Sequence, residues 1–230
     1  MKTIGLIGGM SWESTVTYYQ LINEGIKDAL GGLHSAKVLL YSVDFYEIEA
    51  LMSNGAWEEA ADLLGGAAKR LETAGADMVL ICTNTLHKVA PQVQARLRVP
   101  LVHIAEAAAE ALAARGITRV GLLGTKYTMT QEFYRDKLTE RGIDVRFPEG
   151  EDIDLVNRVI FDELCLGVVK GESKADYLRV IALLQSRGAQ AILLGCTELG
   201  LIVSQEDTAL PLFDTTVIHA KKAVELALAK

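Results

Sequence analysis

Cysteine is scarce in this chain, and what there is follows no metal-binding pattern. Three cysteines occur in 230 residues: Cys82, Cys165 and Cys196. The number is odd, there is no CxxC or Cys/His cluster, and each thiol lies inside an apolar or helical pattern. That speaks against a disulfide scaffold and against a zinc site, and for free thiols in a cytoplasmic protein. Positive charge is short too. Lys and Arg number 23 against 30 Asp and Glu, a net charge of -7, so neither nucleic acid nor an anionic membrane is expected as a partner. No apolar run approaches the roughly 18 residues of a membrane span, and no signal-like start is seen. GxGxxG, a Walker lysine, a GxSxG elbow and a Ser/His/Asp spacing are all missing.

What is there is apolar sequence, half of all residues, cut into short buried-strand runs that alternate with helical stretches. The pattern repeats. Leu71 to Thr85, which contains Gly75, Ala76 and Thr83, aligns without a gap on Leu184 to Glu198, which contains Gly188, Ala189 and Cys196. Thr3 to Gly9 recurs as Arg119 to Thr125, and Pro100-Leu-Val-His as Pro211-Leu-Phe-Asp. Three landmarks in the same order make an internal duplication; the period is far too long for a solenoid. Strands alternating with helices predict parallel sheets flanked by helices. The expected fold is α/β, with two pseudo-symmetric lobes, each a roughly four-stranded parallel sheet, and an active site in the cleft between them. The expected lobes are residues 1–98 with 211–230, and 99–210.

Within that frame, strands are predicted at 2–7, 37–43, 77–82, 100–104 and 119–124, near Val145, and at 191–194. The first helix is predicted over 12–30, capped by Ser11 and stopped by Gly31-Gly32. Residues 44–54 read as a loop with a short helix, and 56–74 as an amphipathic helix despite Gly65-Gly66. Gly8-Gly9-Met10-Ser11 is a tight turn; its backbone N–H groups either meet a small anion or merely serve a turn that needs glycine. Thr83 and Cys196 then sit at equivalent strand ends. Period-two alternation sends Cys82 the opposite way to Thr83, into the core. A helix beginning after Cys196 would lower its pKa through the helix dipole. His103 fits packing better than chemistry, His34 and His219 show no partner in the pattern, and Trp12, Tyr18 and Tyr19 read as core or dimer contacts.

Two acid/base groups on opposite faces of one carbon can remove a proton from one side and return one on the other, with no cofactor. At this point the motifs are recognisable. Gly195-Cys196-Thr197-Glu198, Thr83-Asn84-Thr85-Leu86-His87, Gly5-Leu-Ile-Gly-Gly-Met10-Ser and Gly121-Leu-Leu-Gly-Thr125 resemble those of the aspartate/glutamate racemase family, whose members work without pyridoxal phosphate. The resemblance covers essentially the whole chain and is nearest to the broad-specificity amino-acid racemases. It implies two lobes, an isomerase acting on amino acids by two bases, no cofactor and no metal, a homodimer, and a C-terminal helix that returns to the first lobe. It places Cys196 against the α-hydrogen of the L-enantiomer and Thr83 against that of the D-enantiomer, with Met10, Asn84, Thr85, Thr125 and Thr197 around the substrate.

The chain departs from the family pattern at three points. Thr83 stands where cysteine is usual. Glu47 and Cys165 stand near positions where aspartate-specific relatives carry arginine and lysine; with Met52 at the side-chain end this favours neutral or varied substrates, although Lys126 offers a charge. Glu198 stands where glutamate racemases carry histidine, so it orients the ammonium, tunes the thiol, or is simply an exposed helix residue. Two rival readings remain open: a one-thiol decarboxylase of malonate-like acids, and a non-catalytic binder of small acids.

Overall fold

The computed structural model describes residues Met1–Ala229. The chain divides into two compact units, Met1–Ile104 joined by the chain from His219 onward, and Ala105–Ile218. The first unit contains β1 (Ile4–Gly8), α1 (Trp12–Leu30), β2 (Val38–Ser42), α2 (Phe45–Ser53), α3 (Trp57–Thr73), β3 (Met78–Ile81), a 3-10 turn Thr85–Val89, α4 (Ala90–Gln94) and β4 (Leu101–Val102). Helix α5 (Ile104–Ala114) starts on its last residue. The second unit contains β5 (Arg119–Gly124), α6 (Lys126–Thr130), α7 (Glu132–Thr139), β6 (Asp144–Arg146), α8 (Glu151–Asp162), a 3-10 turn Leu164–Leu166, α9 (Gly171–Ser186), β7 (Ala191–Gly195), a 3-10 turn Thr197–Leu201 and β8 (Leu212–Asp214). Helix α10 (Thr215–Leu228) starts there and runs into the first unit.

The duplication is plain in the topology. Each unit holds one four-stranded sheet, in orders β2-β1-β3-β4 and β6-β5-β7-β8, and every pairing is parallel. In each order the chain reverses direction beside the first strand. The crevice beyond the carboxyl ends of β1 and β3, or of β5 and β7, is therefore where such a sheet accepts a ligand.

Both sheets follow period two. Ile4, Leu6, Met78, Leu80 and Cys82 face one apolar cluster, closed by α1 and by Ala220, Ala223, Val224 and Ala227 of α10. Ile7, Val79 and Ile81 face the other, closed by α2, α3 and the turn after β3. In the second unit Ile192 and Leu194 face a cluster built by α8 and α9. Gly25 lets α10 pack closely on α1: a Cβ there would stand 3.0 Å from Val224.

Two boundaries differ from expectation. Residues 99–104 belong to the first unit because β4 pairs with β3, and residues 211–218 to the second because β8 pairs with β7. The return of the C-terminal helix begins only at His219. Residues 45–53 are a full α-helix, capped by the Asp44 carboxylate accepting from Tyr46 N–H. Helix α1 runs as expected, with the Ser11 cap. Tyr18 is core, while Trp12 and Tyr19 are exposed. Among the described residues no helix is long and apolar enough to cross a membrane.

The β1 turn is a glycine turn. Gly9 has φ of 90°, a Cβ on it would overlap the Val43 carbonyl, and its N–H already donates to Thr15 Oγ1 at 2.8 Å. A left-handed φ and the overlap together should make Gly9→Ala costly, by about 1–3 kcal/mol. Urea unfolding of Gly9→Ala should show a lower midpoint at an unchanged slope.

Candidate active site

In the first unit the site is built on the end of β3. The ladder to β1 ends with the Cys82 N–H bonded to the Ile7 carbonyl at 2.9 Å. Alternation puts the Cys82 side chain in the core, fully buried, and burial pushes its thiol far above the ordinary range. Thr83, the next residue, is half-buried. Asn84 and Thr85 follow, both buried. Met10 and Met52 are buried in one cluster with Ile48 and Leu86, so the structure brings these two together beside the β1 and β3 ends.

Three histidines support this strand end. His87 is buried, and its Nδ1–H donates to the Thr83 carbonyl at 2.7 Å. Its Nε2 accepts from the Ile104 N–H at 3.1 Å. A carbonyl can only accept and an N–H can only donate, so the imidazole is neutral with its proton on Nδ1. His103 packs against it edge to face, with ring centroids 4.6 Å apart. His219, which the sequence pattern left without a partner, has two. Its Nε2–H donates to the Val102 carbonyl at 2.8 Å, and its Nδ1 accepts from the Tyr18 hydroxyl at 2.8 Å. Burial holds His87 well below the ordinary histidine range, helped by His103, and lowers His219 to about 3.

In the second unit the equivalent strand end is that of β7. Gly124 and Gly195 end neighbouring strands, and a Cβ on Gly124 would come within 2.9 Å of the Gly195 carbonyl, so both must stay bare. Thr125 is buried and caps α6, accepting from Thr128 N–H at 3.4 Å. Lys126 is no spare cation: its Nζ pairs with Asp154 at 2.7 Å on the exposed surface.

Cys196 is half-buried, as is Thr197, and Glu198 is 8% exposed. Glu198 is therefore not a solvated helix residue. Its Oε2 accepts from the Cys196 thiol at 3.0 Å and from the Thr197 hydroxyl at 2.6 Å. Cys165, half-buried on the turn Leu164–Leu166, packs against the same apolar cluster as Cys196. The thiol of Cys196 is raised well above its ordinary value, first by burial and then by the Glu198 carboxylate, with Cys165 adding to it. That reverses the expected lowering. Only a five-residue 3-10 turn follows Cys196, too short to build a useful dipole, and the nearest charge is negative. Among the described residues, no three His, Cys, Asp or Glu side chains are grouped to hold a metal ion.

Thr83 and Cys196 thus end equivalent strands, β3 and β7, each third in its sheet. Each leads into a short 3-10 turn.

His219 generates a pH dependence. Folded, it stays neutral down to about pH 3; unfolded, it takes a proton near pH 6.5. Its contribution is complete above the unfolded value and is lost as pH falls through that window, by at most about 1.4 kcal/mol per pH unit. Unfolding midpoints of His219→Gln between pH 7.5 and 4.5 should fall less steeply than those of the parent protein.

Comparison with known proteins agrees with this organisation. The chain matches the Asp/Glu/hydantoin racemase family over residues 7–223. It is 53% identical, over the full length of both chains, to a Yersinia pestis protein solved as a candidate Asp/Glu racemase, with a TM-score of 0.95. An aspartate racemase homologue from Pyrococcus horikoshii OT3 is 39% identical over the full length of both chains, with a TM-score of 0.87. The broad specificity amino-acid racemase RacX of Bacillus subtilis is 24% identical over 98% of each chain. With its doubled sheet and paired strand-end motifs, the chain belongs to the Asp/Glu/hydantoin racemase family of isomerases.

Proposed function

We propose that the chain is a cofactor-independent amino-acid racemase in which Cys196 and Thr83 act on opposite faces of one α-carbon. The observation that carries this reading is their equivalence, a thiol and a hydroxyl ending the same strand of two copies of one sheet. Asn84, Thr85, Thr125 and Thr197 hold the α-carboxylate and ammonium through side chains and backbone N–H groups, and these donors support the carbanion.

The chemistry is unequal on the two sides. The Cys196 thiol is protonated at rest, and its proton has one short path, to Glu198 Oε2. Glu198 takes that proton, the thiolate takes the α-hydrogen of the L-substrate, and the carbanion is protonated from the other face. Thr83 hands over that proton while receiving one from water, and Glu198 releases its own to solvent. A hydroxyl has no anionic form near neutral pH, so Thr83 relays well and abstracts poorly. With Lys126 committed to Asp154 and a thiol at Cys165, the reading extends to neutral side chains as well as aspartate and glutamate. The absence of a second thiol at Thr83 favours one alternative, decarboxylation of a malonate-like acid, which needs protonation from one side only and would release carbon dioxide without racemisation.

In deuterated buffer, L-aspartate and L-leucine should gain α-deuterium faster than their D-enantiomers; equal rates would sink the assignment. Cys196→Ala should lose about 10²–10⁴ of that exchange, the usual worth of a general acid/base group. Thr83→Cys should raise the exchange of the D-enantiomers.

Glu198→Gln removes both the charge that raises the thiol and the acceptor of its proton. Its rate of L-exchange should reach a plateau at lower pH than in the parent, with a maximum about tenfold lower. A pH profile unmoved by the substitution would mean that Glu198 does not govern the thiol.

A further inference from the structure

We infer that His87 is a positioning residue: its imidazole ties the backbone of Thr83 to the first residue of α5 and so aims the Thr83 hydroxyl. The inference rests on the proposed role of Thr83. The ladder to β1 ends at the Cys82 N–H and β4 pairs only with Val79 and Leu80, so no strand partner holds Thr83. The Thr83 carbonyl would face the interior without a strand partner, and the His87 Nδ1–H takes it at 2.7 Å. On the ring's other edge, Nε2 accepts the Ile104 N–H, an amide at the start of α5 with no carbonyl one turn before it to bond. One rigid, neutral ring therefore serves the end of a strand and the start of a helix. Ile104 is the last residue of the first unit before the chain leaves it.

The second copy of the sheet ties its strand end differently, with no imidazole on the carbonyl of Cys196. Position 103 aligns with Asp214, and Asp214 caps its own helix, accepting from Thr216 and Val217 N–H at 2.8 and 3.2 Å. At Cys196 the carbonyl accepts from Leu199 N–H at 3.2 Å, inside its own turn. The helix start is tied to the strand there by Thr215, the first residue of α10, whose hydroxyl donates to the Leu194 carbonyl at 2.8 Å, two residues short of Cys196. The aim of a thiol, with its long bonds and diffuse lone pairs, is less critical than that of a hydroxyl relaying a proton through water. A misplacement of about 1 Å can cost on the order of a hundredfold in rate.

His87 can be cut one edge at a time. Asparagine places an amide N–H where Nδ1–H lies and keeps the bond to Thr83. Glutamine places its carbonyl where Nε2 lies and keeps only the bond to Ile104. With L-aspartate and L-leucine in deuterated buffer, two products are scored: α-deuterated L-substrate, made on the Cys196 side alone, and inverted D-product, which also needs Thr83. In His87→Gln, D-product formation should fall about tenfold while deuteration with retention stays within about twofold; His87→Asn should stay within about threefold on both. A plain loss of folding would lower both products together in both variants, and that result overturns the inference. So does an unchanged ratio of the two products in His87→Gln. Thr83→Ala separates the two levels of the argument. If it leaves inversion intact, the assignment of Thr83 itself is wrong. If it abolishes inversion and adding His87→Gln to it costs nothing more, His87 acts through Thr83.

Discussion

A strand buried on both faces can offer each face only every second side chain, and the chemistry proposed for this protein hangs on that rule. It commits Cys82 to the cluster shared with α1 and α10 and leaves the proposed reacting position to Thr83. It brings Cys196 to the side of Ile192 and Leu194, against α8 and α9. The nucleophile most visible in the first half of the sequence is spent on packing. A register slip of one residue would put the Cys82 thiol where the Thr83 hydroxyl now stands, a change that the proposed proton transfer would feel directly. The glycines that end β5 and β7 let neighbouring backbones close up where a Cβ would not fit, and Gly8 at the end of β1 leaves room for the Thr15 side chain.

Charge at the second strand end follows from the same geometry. With the Cys196 side chain turned toward an apolar cluster, water is partly removed and the neutral thiol is favoured. Glu198, two residues on, curls back to the sulfur because the 3-10 turn brings its carboxylate beside the start of the turn. Burial and the neighbouring carboxylate both favour the protonated thiol. This is a different solution from an isolated low-pKa cysteine, which would stay ionised with the site open to oxidants.

The two-fold architecture was readable because its signals are local: buried runs, glycines at fixed offsets and the gapless match of Thr83 with Cys196. Helix α1 was readable from Ser11 and Gly31, since a cap and a stop need no distant partner. The boundaries near 98 and 211 were not. Whether β4 stays with β3, and β8 with β7, is decided by ladder pairing across many residues, and a two- or three-residue strand leaves little trace in composition. The placement of Thr83, Asn84, Thr85, Cys196 and Thr197 at strand ends was legible for the same local reason. The partners of His219 were not, because Tyr18 lies 201 residues away. The direction in which the thiol shifts is not legible in the sequence, because only a short 3-10 turn follows Cys196 and burial, the largest cause of the shift, depends on distant packing.

The first unit is made of two stretches of chain that lie far apart in the sequence, and this bears on how the protein is made. As the polypeptide leaves the ribosome, β1 to β4 emerge early, but the cluster that Ile22 and Ile26 of α1 share with these strands stays incomplete until Ala223 and Ala227 arrive. The second unit receives its last strand, β8, only just before α10 begins, so through the whole synthesis of that unit the older half waits with an apolar flank incompletely covered. A nascent chain stalled before α10 would carry that open flank, the kind of surface that chaperones bind and that associates with other unfinished chains.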